Sequence, residues 1–531
     1  MSDGIVQPEW PLRLLHVPTM TSLERQEGNI YGDFVEPDYS ILSYTWGRWA
    51  VAHGNPALEV RGVTWRIPAI DEKHFSATQL QRAIWNISLG EQSENEEHRS
   101  NIFVWIDIAC IDQENERIKA VEIGRQAAIF GNAKRAYIWL SHLDESELSL
   151  CDEVLYDSSE TLFLASGDEE LNAVDIDTWT ESFVRLLEVL LQDPWYTSLW
   201  TLQEMFLRAD AAILSKSAEI VKRKAGNGNS LSLGNLVTNC TSVYNELTRR
   251  VFSRQQIARS STYTKILSLI ERLGLYHGPW ENPILLYGAA RHRTTRDPKD
   301  RVYGIMQVYG FRLGSSAQPD RGFTLADLEL QLAMAHNVRS AVSAQLFVHT
   351  RIIEVGNCWR MDSHSKLPQT LLMLTDTDRR SLGEISFENS RGPRLRAKAC
   401  HLRDIANVWM QACSPLEYNA VQNILLDVTA FSEEKIPPGM HEMSHDDARQ
   451  HDLSSLLVDS LSDEARVFLL GVLVDAVDED VDILVGLIAE PQENGTTLCW
   501  QRIGICLWES IPETSWEGLG GLWSDFDGFL G

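Results

Sequence analysis

Between Ile102 and Ile108 the chain is an almost unbroken apolar run, Ile-Phe-Val-Trp-Ile-Asp-Ile. The next stretch, Glu114 to Gly131, places Ile118, Val121, Arg125, Ala128 and Ile129 at helical spacing, and Ala136 to Leu140 is apolar again. A continuous apolar run predicts a strand covered on both faces, and the spaced positions predict one amphipathic helix. Strand, helix and strand in so short a span make a βαβ unit, whose strands run parallel with a right-handed crossover. The predicted core is therefore α/β, a parallel sheet with flanking helices.

The same reading extends along the chain. Tyr39 to Gly47 predicts a buried strand ending in a glycine turn, and a helix from Ser76 carries Leu80, Ile84 and Ile87 on one side. Gly90 to Ser100 is a polar, acidic surface loop, and Asp144 to Asp177 reads as an acidic linker. Thr178 with Glu181 has the pattern of a capping box and opens a helix through Phe183, Leu187 and Leu190, which stops at Asp193-Pro194. If Trp195 to Leu207 is helical, Trp200 and Glu204 lie one turn apart on one face. Lys216 to Ser232 reads as a boundary loop, the next hundred or so residues as mainly helical, and the remainder as α+β. Its clearest β-like runs are Val467 to Val477, Ile483 to Ala489 and Thr496 to Trp508. The expected organisation is a lead-in (1–37), an α/β domain (38–215), a helical continuation (216–335) and a C-terminal α+β region (336–531).

Composition narrows the function classes. The net charge of -28 argues against broad contact with nucleic-acid phosphate or an anionic membrane, and leaves room for a local basic site. No run reaches the ~18 apolar residues of a membrane span, and the first ten residues lack the basic-then-apolar pattern of a secretory signal. Eight scattered cysteines fit a reduced, cytoplasmic setting.

In open α/β sheets, ligands bind beyond the carboxyl ends of the strands. Asp107, Cys110, Asp112 and Gln113 fall there. Asp107 and Asp112 suit loop-ordering hydrogen bonds as well as chemistry. Cys110 has no sequence signature supplying a histidine partner, which an activated thiol needs. Glu204 suits a helix cap or ion pair as well as catalysis, and Trp46, Trp105, Trp139 and Trp200 suit a core. Asp300 and Arg301 read as a structural ion pair, with a phosphate as the other partner open to Arg301. His441-Glu-Met-Ser-His445 with His451 has metzincin-like spacing. However, Pro437-Pro438-Gly439 precedes it, Ala448 stands where glycine would let the chain turn, and no methionine follows residue 443. No metal site is expected from it, and a zinc protease is a remote alternative.

Four ordered segments, Tyr39 to Gly47, Val104 to Gln113, Lys134 to Leu140 and Trp195 to Glu204, resemble the blocks of the fungal heterokaryon-incompatibility (HET) domain. Arg296 to Gly304 is similar to a further block that often follows. The resemblance implies non-self recognition and programmed cell death, and a TIR-like (flavodoxin-like) fold, since that domain is considered a distant relative of Toll/interleukin-1-receptor-like domains. Many of those cleave the nicotinamide–ribose bond of NAD with a glutamate four residues after a tryptophan. Trp200 and Glu204 match that pattern, and Tyr44 to Arg48 is similar to the loop that lines the nucleotide site. The resemblance thus implies Glu204 as catalytic carboxylate. Tyr44, Trp46, Gly47, Arg48, Asp107, Cys110, Asp112 and Trp200 would stand around NAD as substrate, with no cofactor required. The expected partners are further copies of the chain or other incompatibility proteins; a non-catalytic assembly module is the alternative.

Overall fold

The computed structural model describes residues 10–90, 102–165, 173–224, 228–252, 260–276, 283–362, 365–366, 374–387, 392–412, 422–427, 461–475, 482–494, 497–510 and 514–531. The segment with His441, His445 and His451 lies outside them. The chain forms two compact units: Met1–His277 with His292–Leu328, and Gly278–Arg291 with Glu329–Gly531.

In the first unit the strands are β1 (Arg13–His16), β2 (Thr21–Gln26), β3 (Ile30–Tyr31), β4 (Phe34–Val35), β5 (Tyr39–Ser43), β6 (Ala50–Val51), β7 (Ala69–Ile70), β8 (Phe103–Trp105), β9 (Arg135–Trp139) and β10 (Ala212–Leu214). The helices include α1 (Ala77–Leu89), α2 (Asp107–Cys110), α3 (Glu116–Ile123), α4 (Gln126–Asn132), α5 (Glu145–Ala165), α6 (Ala173–Leu190), α7 (Leu199–Leu207), α8 (Leu233–Phe252), α9 (Ser260–Leu273) and the single turn α10 (Asp300–Tyr303). One sheet runs β10-β9-β5-β8-β1-β2-β3-β4. Strands β10, β9, β5 and β8 are mutually parallel, and β1 to β4 extend the sheet antiparallel, so it is mixed where an all-parallel sheet was expected. Numbered by sequence, the parallel strands lie in the order 2-1-3-4. All five residues of β5, the serines Ser40 and Ser43 included, and all three of the apolar β8 are buried, as expected of strands covered on both faces.

Several boundaries differ from the sequence expectation, each for a local reason. The run from Ile102 is extended only over Phe103–Trp105. Asp107 then opens a single helical turn, its carboxylate accepting the Ile108 amide at 2.8 Å while the Trp65 indole donates to the Ile108 carbonyl at 3.1 Å. The single helix expected over Glu114 to Gly131 is two, α3 and α4, broken at Gly124 and Arg125. At the break Glu122 is fully buried and binds the Leu12 amide and Arg125. The expected acidic linker is mostly helix: α5 covers Glu145–Ala165, and α6 starts at Ala173, so Thr178 lies inside α6 and is not its cap. Acidic residues in the first turn of α5 favour its amino end. A capping box does form at α1, where Ser76 and Gln79 exchange side-chain-to-backbone bonds. The expected loop 216–232 folds back on β10: Ile213 and Val221 bond Leu231 and Ile213 carbonyls at 2.9 Å each.

The second unit contains a long-stranded antiparallel sheet that includes Arg466–Asp475, Asp482–Asn494 and Thr497–Glu509, the three β-like runs of the sequence. Both of its faces are covered, one by the helix Leu402–Ala412 through Ile405 and Trp409, the other by Ala341, Val342 and Leu346. Asp427 and Arg502 are fully buried and paired at 2.9 Å, with the Asp427 carboxylate also accepting the His349 amide at 2.7 Å. Removing one member of a buried pair strands the other charge, at a typical cost of about 3–5 kcal/mol. Arg502→Met is therefore expected to lower the urea midpoint of this unit sharply, whereas Arg502→Met with Asp427→Leu recovers most of the loss; equal midpoints for single and double variants would refute this.

Candidate active site

A cavity of about 570 Å³ opens beyond the carboxyl ends of β5 and β8. Its walls come from the turn after β5 (Tyr44 to Trp49), the turn after β8 (Asp107, Ile111, Gln113), α3, α7 (Trp200, Glu204) and the segment Thr294 to Asp300.

Ser43 closes β5, and its hydroxyl donates to Oε2 of Glu204 while accepting the Trp195 indole N–H at 2.7 Å. Trp195 is itself completely buried. One edge of Glu204 faces the cavity and protein surrounds the rest, so burial pushes its pKa up to about 8; the Asp107 charge adds to the rise and the Ser43 hydrogen bond opposes it. Asp107 is also displaced upward by burial, although three donors hold its carboxylate: the Tyr44 hydroxyl at 2.9 Å, the Trp46 indole and the Ile108 amide. It pins two aromatic residues of the turn in place.

A second layer supports that turn from behind. Trp49 stacks on His74 at 3.8 Å between ring centres, His74 Nε2 meets the Thr45 carbonyl at 2.6 Å, and His74 Nδ1 meets His142 Nε2 at 3.0 Å. Burial lowers His74 to about 4, so the imidazole is neutral at ordinary pH and one nitrogen donates while the other accepts. Asp193, raised to about 7 by burial, accepts the His142 and Trp195 amides at 2.9 Å each.

The far wall is fastened by two arginines. Arg48 donates to the Pro194 carbonyl and to the hydroxyls of Thr197 and Thr294. Arg293 is buried and donates to the carbonyls of Trp195, Ser198 and Leu273 at 3.0, 3.3 and 2.6 Å, and burial pushes its pKa down to about 9. A parallel bridge between Ser198 and Thr294 sets the segment against the start of α7. Asp300 accepts the Trp200 indole at 3.2 Å and the Thr295 hydroxyl; these, and not Arg301, are its described partners, because the carboxylate turns inward to α7.

Of the residues singled out from sequence, Tyr44, Trp46, Gly47, Arg48, Asp107, Trp200 and Glu204 meet in this cavity. Cys110 and Asp112 are not among its lining residues. Cys110 is buried, and burial pushes its thiol up to about 12, which leaves it unreactive. Asp112 accepts the Glu114 and Asn115 amides at 3.0 and 3.1 Å ahead of α3, beside a separate shallow depression with Thr64 and Glu114. Trp105 and Trp139 are core; Trp46 and Trp200 are half-buried cavity walls. Sequence reasoning missed Ser43, His74, Asp193 and Arg293. Only Arg293 left a signal, in the basic cluster Arg291-His-Arg-Thr-Thr-Arg296.

Fold and site together define an α/β sheet protein with a half-buried carboxylate in an aromatic-lined cavity at the strand ends. Residues 39–204, from β5 to Glu204 itself, match the family model described as Heterokaryon incompatibility protein (HET), which associates this stretch with incompatibility and cell death. No curated protein and no solved structure matches the chain. Among the described residues, no helix is long and apolar enough to cross a membrane, and no cluster of three or more His, Cys, Asp or Glu is arranged to hold a metal.

Two outcomes are expected from this geometry. The folded chain holds a proton on Glu204 between its ordinary value of 4.5 and about 8, where the unfolded chain has released it, so this group makes stability fall as pH rises through that window. Glu204→Gln is then more stable than wild type above pH 8, with the gap closing toward pH 4.5; thermal melts at both ends check this, and a gap independent of pH would refute it. Arg293→Ala removes a buried donor from three carbonyls, of which those of Trp195 and Ser198 keep the Thr201 hydroxyl, and is expected to cost roughly 1–3 kcal/mol in denaturant titrations; a loss within ~0.5 kcal/mol would refute it.

Proposed function

We propose that the chain is an incompatibility and cell-death effector whose first unit hydrolyses NAD, with Glu204 as the catalytic carboxylate. The observation that carries this reading is Glu204 itself: a carboxylate with one edge open to a cavity, one turn from Trp200 and flanked by Tyr44 and Trp46. The strand order 2-1-3-4 is that of flavodoxin-like sheets, with the cavity at the strand ends where such sheets bind nucleotides, and this supports the TIR-like reading. Clustering with further copies or other incompatibility proteins, in the cytoplasm, is the activating event in this proposal.

The chemistry suits a single acid. The nicotinamide ring is already cationic, so when the C1′–N bond breaks its electron pair goes to the ring nitrogen and nicotinamide departs neutral without a proton. The positive charge passes to C1′ and the ring oxygen of the ribose, where ionised Glu204 stabilises it, as a carboxylate does in glycosidases. Water then adds to C1′ and its proton goes to solvent, giving ADP-ribose. Glu204 must be ionised for this, and the cationic ring arriving beside it lowers its pKa by attraction. Tyr44, Trp46 and Trp200 provide flat walls for the ring, and Asp107 fixes the first two.

Nicotinamide release by the clustered full-length chain tests the reading. Wild type is expected to release it, with kcat/KM rising with pH to a plateau above about pH 8. Glu204→Gln is expected to lose at least ~100-fold, in line with loss of a main electrostatic stabiliser. Ser43→Ala removes the bond that opposes the rise in pKa, so its profile should move to higher pH. Release unaffected in Glu204→Gln, or absent from clustered wild type, would favour the non-catalytic assembly module.

A further inference from the structure

The HET match ends at Glu204, but the cavity does not. Thr294 to Asp300 closes its far side and brings Arg296 and Lys299 to the lining, where Lys119 of α3 joins them. The lining carries four cations, Arg48, Lys119, Arg296 and Lys299, beside five acids, Asp107, Glu116, Glu204, Asp297 and Asp300, so that a chain with a net charge of -28 here sets cations and carboxylates around one cavity in near balance. Two of the cations have an acid beside them that also lines the cavity, Lys299 at 3.2 Å from Asp297 and Lys119 at 3.9 Å from Glu116, whereas no ion pair involves Arg296 among the described residues. Arg48 adds a guanidinium held by a carbonyl and two hydroxyls with no carboxylate. Burial pushes the Glu204 carboxyl up to about 8, so near neutrality that acid offsets the cations less than an ordinary carboxylate would.

The wall is built, too, and not a drape of mobile side chains. Buried Arg293 ties the segment to Trp195, Ser198 and Leu273; the Thr294 amide donates to the Thr197 carbonyl at 2.7 Å, and Asp300 holds Trp200. The backbone that positions Arg296 and Lys299 is thereby anchored to the helix carrying Glu204. The lining thus offers an aromatic and carboxylate part, from Tyr44, Trp46, Trp200 and Glu204, that suits a cationic ring, and a segment that carries Arg296 and Lys299 with Asp297 between them, where the guanidinium is open to an anion.

We infer that Arg296 and Lys299, with Lys119, form a diphosphate-binding wall, so that the site takes a phosphate-bearing dinucleotide and discriminates against the corresponding nucleoside. The ring end of this assignment rests on the NAD reading; the anion end does not. Arginine pairs with phosphate oxygens in a bidentate fork and lysine as a point charge, so the contribution falls as salt screens it.

The test is calorimetric titration of the full chain with three probes, NAD, nicotinamide riboside and inorganic pyrophosphate, for wild type, Arg296→Gln and Lys299→Gln, in the Glu204→Gln background to prevent turnover. Arg296 is exposed and Lys299 partly so, so neither change is expected to disturb folding, which circular dichroism checks. NAD and pyrophosphate should each bind roughly tenfold more weakly to either variant, the size of one charge-assisted contact. Nicotinamide riboside should bind all three proteins alike, and raising salt should weaken NAD and pyrophosphate only. Pyrophosphate binding that depends on Arg296 and Lys299, without binding of NAD or the riboside, would uphold the wall and sink the NAD reading. NAD or pyrophosphate binding indifferent to both substitutions, or no pyrophosphate binding to the parent protein, would overturn the wall whatever becomes of nicotinamide release.

Discussion

The first unit's site depends on one junction, where the Trp195 indole donates to Ser43 and Ser43 donates to Glu204. It joins the last residue of β5 to the first helix after α6, across 152 and 161 residues of chain. A hydroxyl suits this place because it accepts from an N–H and donates to a carboxylate at once, which neither an amide N–H nor a methyl can do. The cost of enclosing a carboxylate is met only partly by that bond, and the balance is what displaces Glu204 from its ordinary pKa. Reactivity and strain thus share one origin, since the same enclosure that makes the group expensive to ionise makes its charge effective once a cation arrives.

Around this junction the architecture works by fixing backbone through buried polar groups. Asp107 holds Tyr44 and Trp46, Asp193 holds the His142 amide after β9 and the Trp195 amide ahead of α7, and Arg293 joins the Trp195 and Ser198 carbonyls to that of Leu273 at the end of α9. A ladder of buried amides adds to it: Gln203 of α7 donates to Gln126 of α4 at 2.5 Å and accepts the Gln307 amide at 3.3 Å. Such groups are costly unless satisfied, so each constrains its neighbours to one arrangement. A site that must hold an aromatic turn, a helix and a distant loop in register gains from that exclusivity.

How much of this was readable in the chain follows from which forces are local. Strands β5, β8 and β9 and the helix bearing Trp200 and Glu204 announced themselves because burial on both faces and helical spacing leave periodic traces. Asp107 and Gln113 were legible through the rule that α/β sheets present ligand sites at strand ends, a rule that also pointed to Cys110 and Asp112, whereas Tyr44, Trp46 and Glu204 were singled out through the family resemblance. Ser43 and His74 were not legible, because a serine and a histidine have no pattern of their own and their partners lie far away in sequence; Arg293 showed only as one member of a basic cluster, with nothing to single it out. The break at Gly124 escaped for the same reason: it follows from where Glu122 finds Leu12, a contact that the helical spacing of Ile118 and Val121 conceals. The acidic stretch before Thr178 misled in the opposite direction, since charge density suggested a linker where the chain is helical.

The boundaries of the matched stretch carry a practical consequence. Residues 39–204 contain β5, β8 and β9, but β8 is flanked by β1 and β9 by β10, both outside the match. Excising the stretch would strip both neighbours at once and leave a three-stranded parallel ribbon with two bare edges, each a row of unpaired amides and carbonyls on buried-type apolar strands. Such edges recruit other chains. A fragment cut at the limits of sequence similarity would thus be prone to self-associate through edges that the intact protein keeps covered, and clustering seen with it would report on the scissors and not on the molecule.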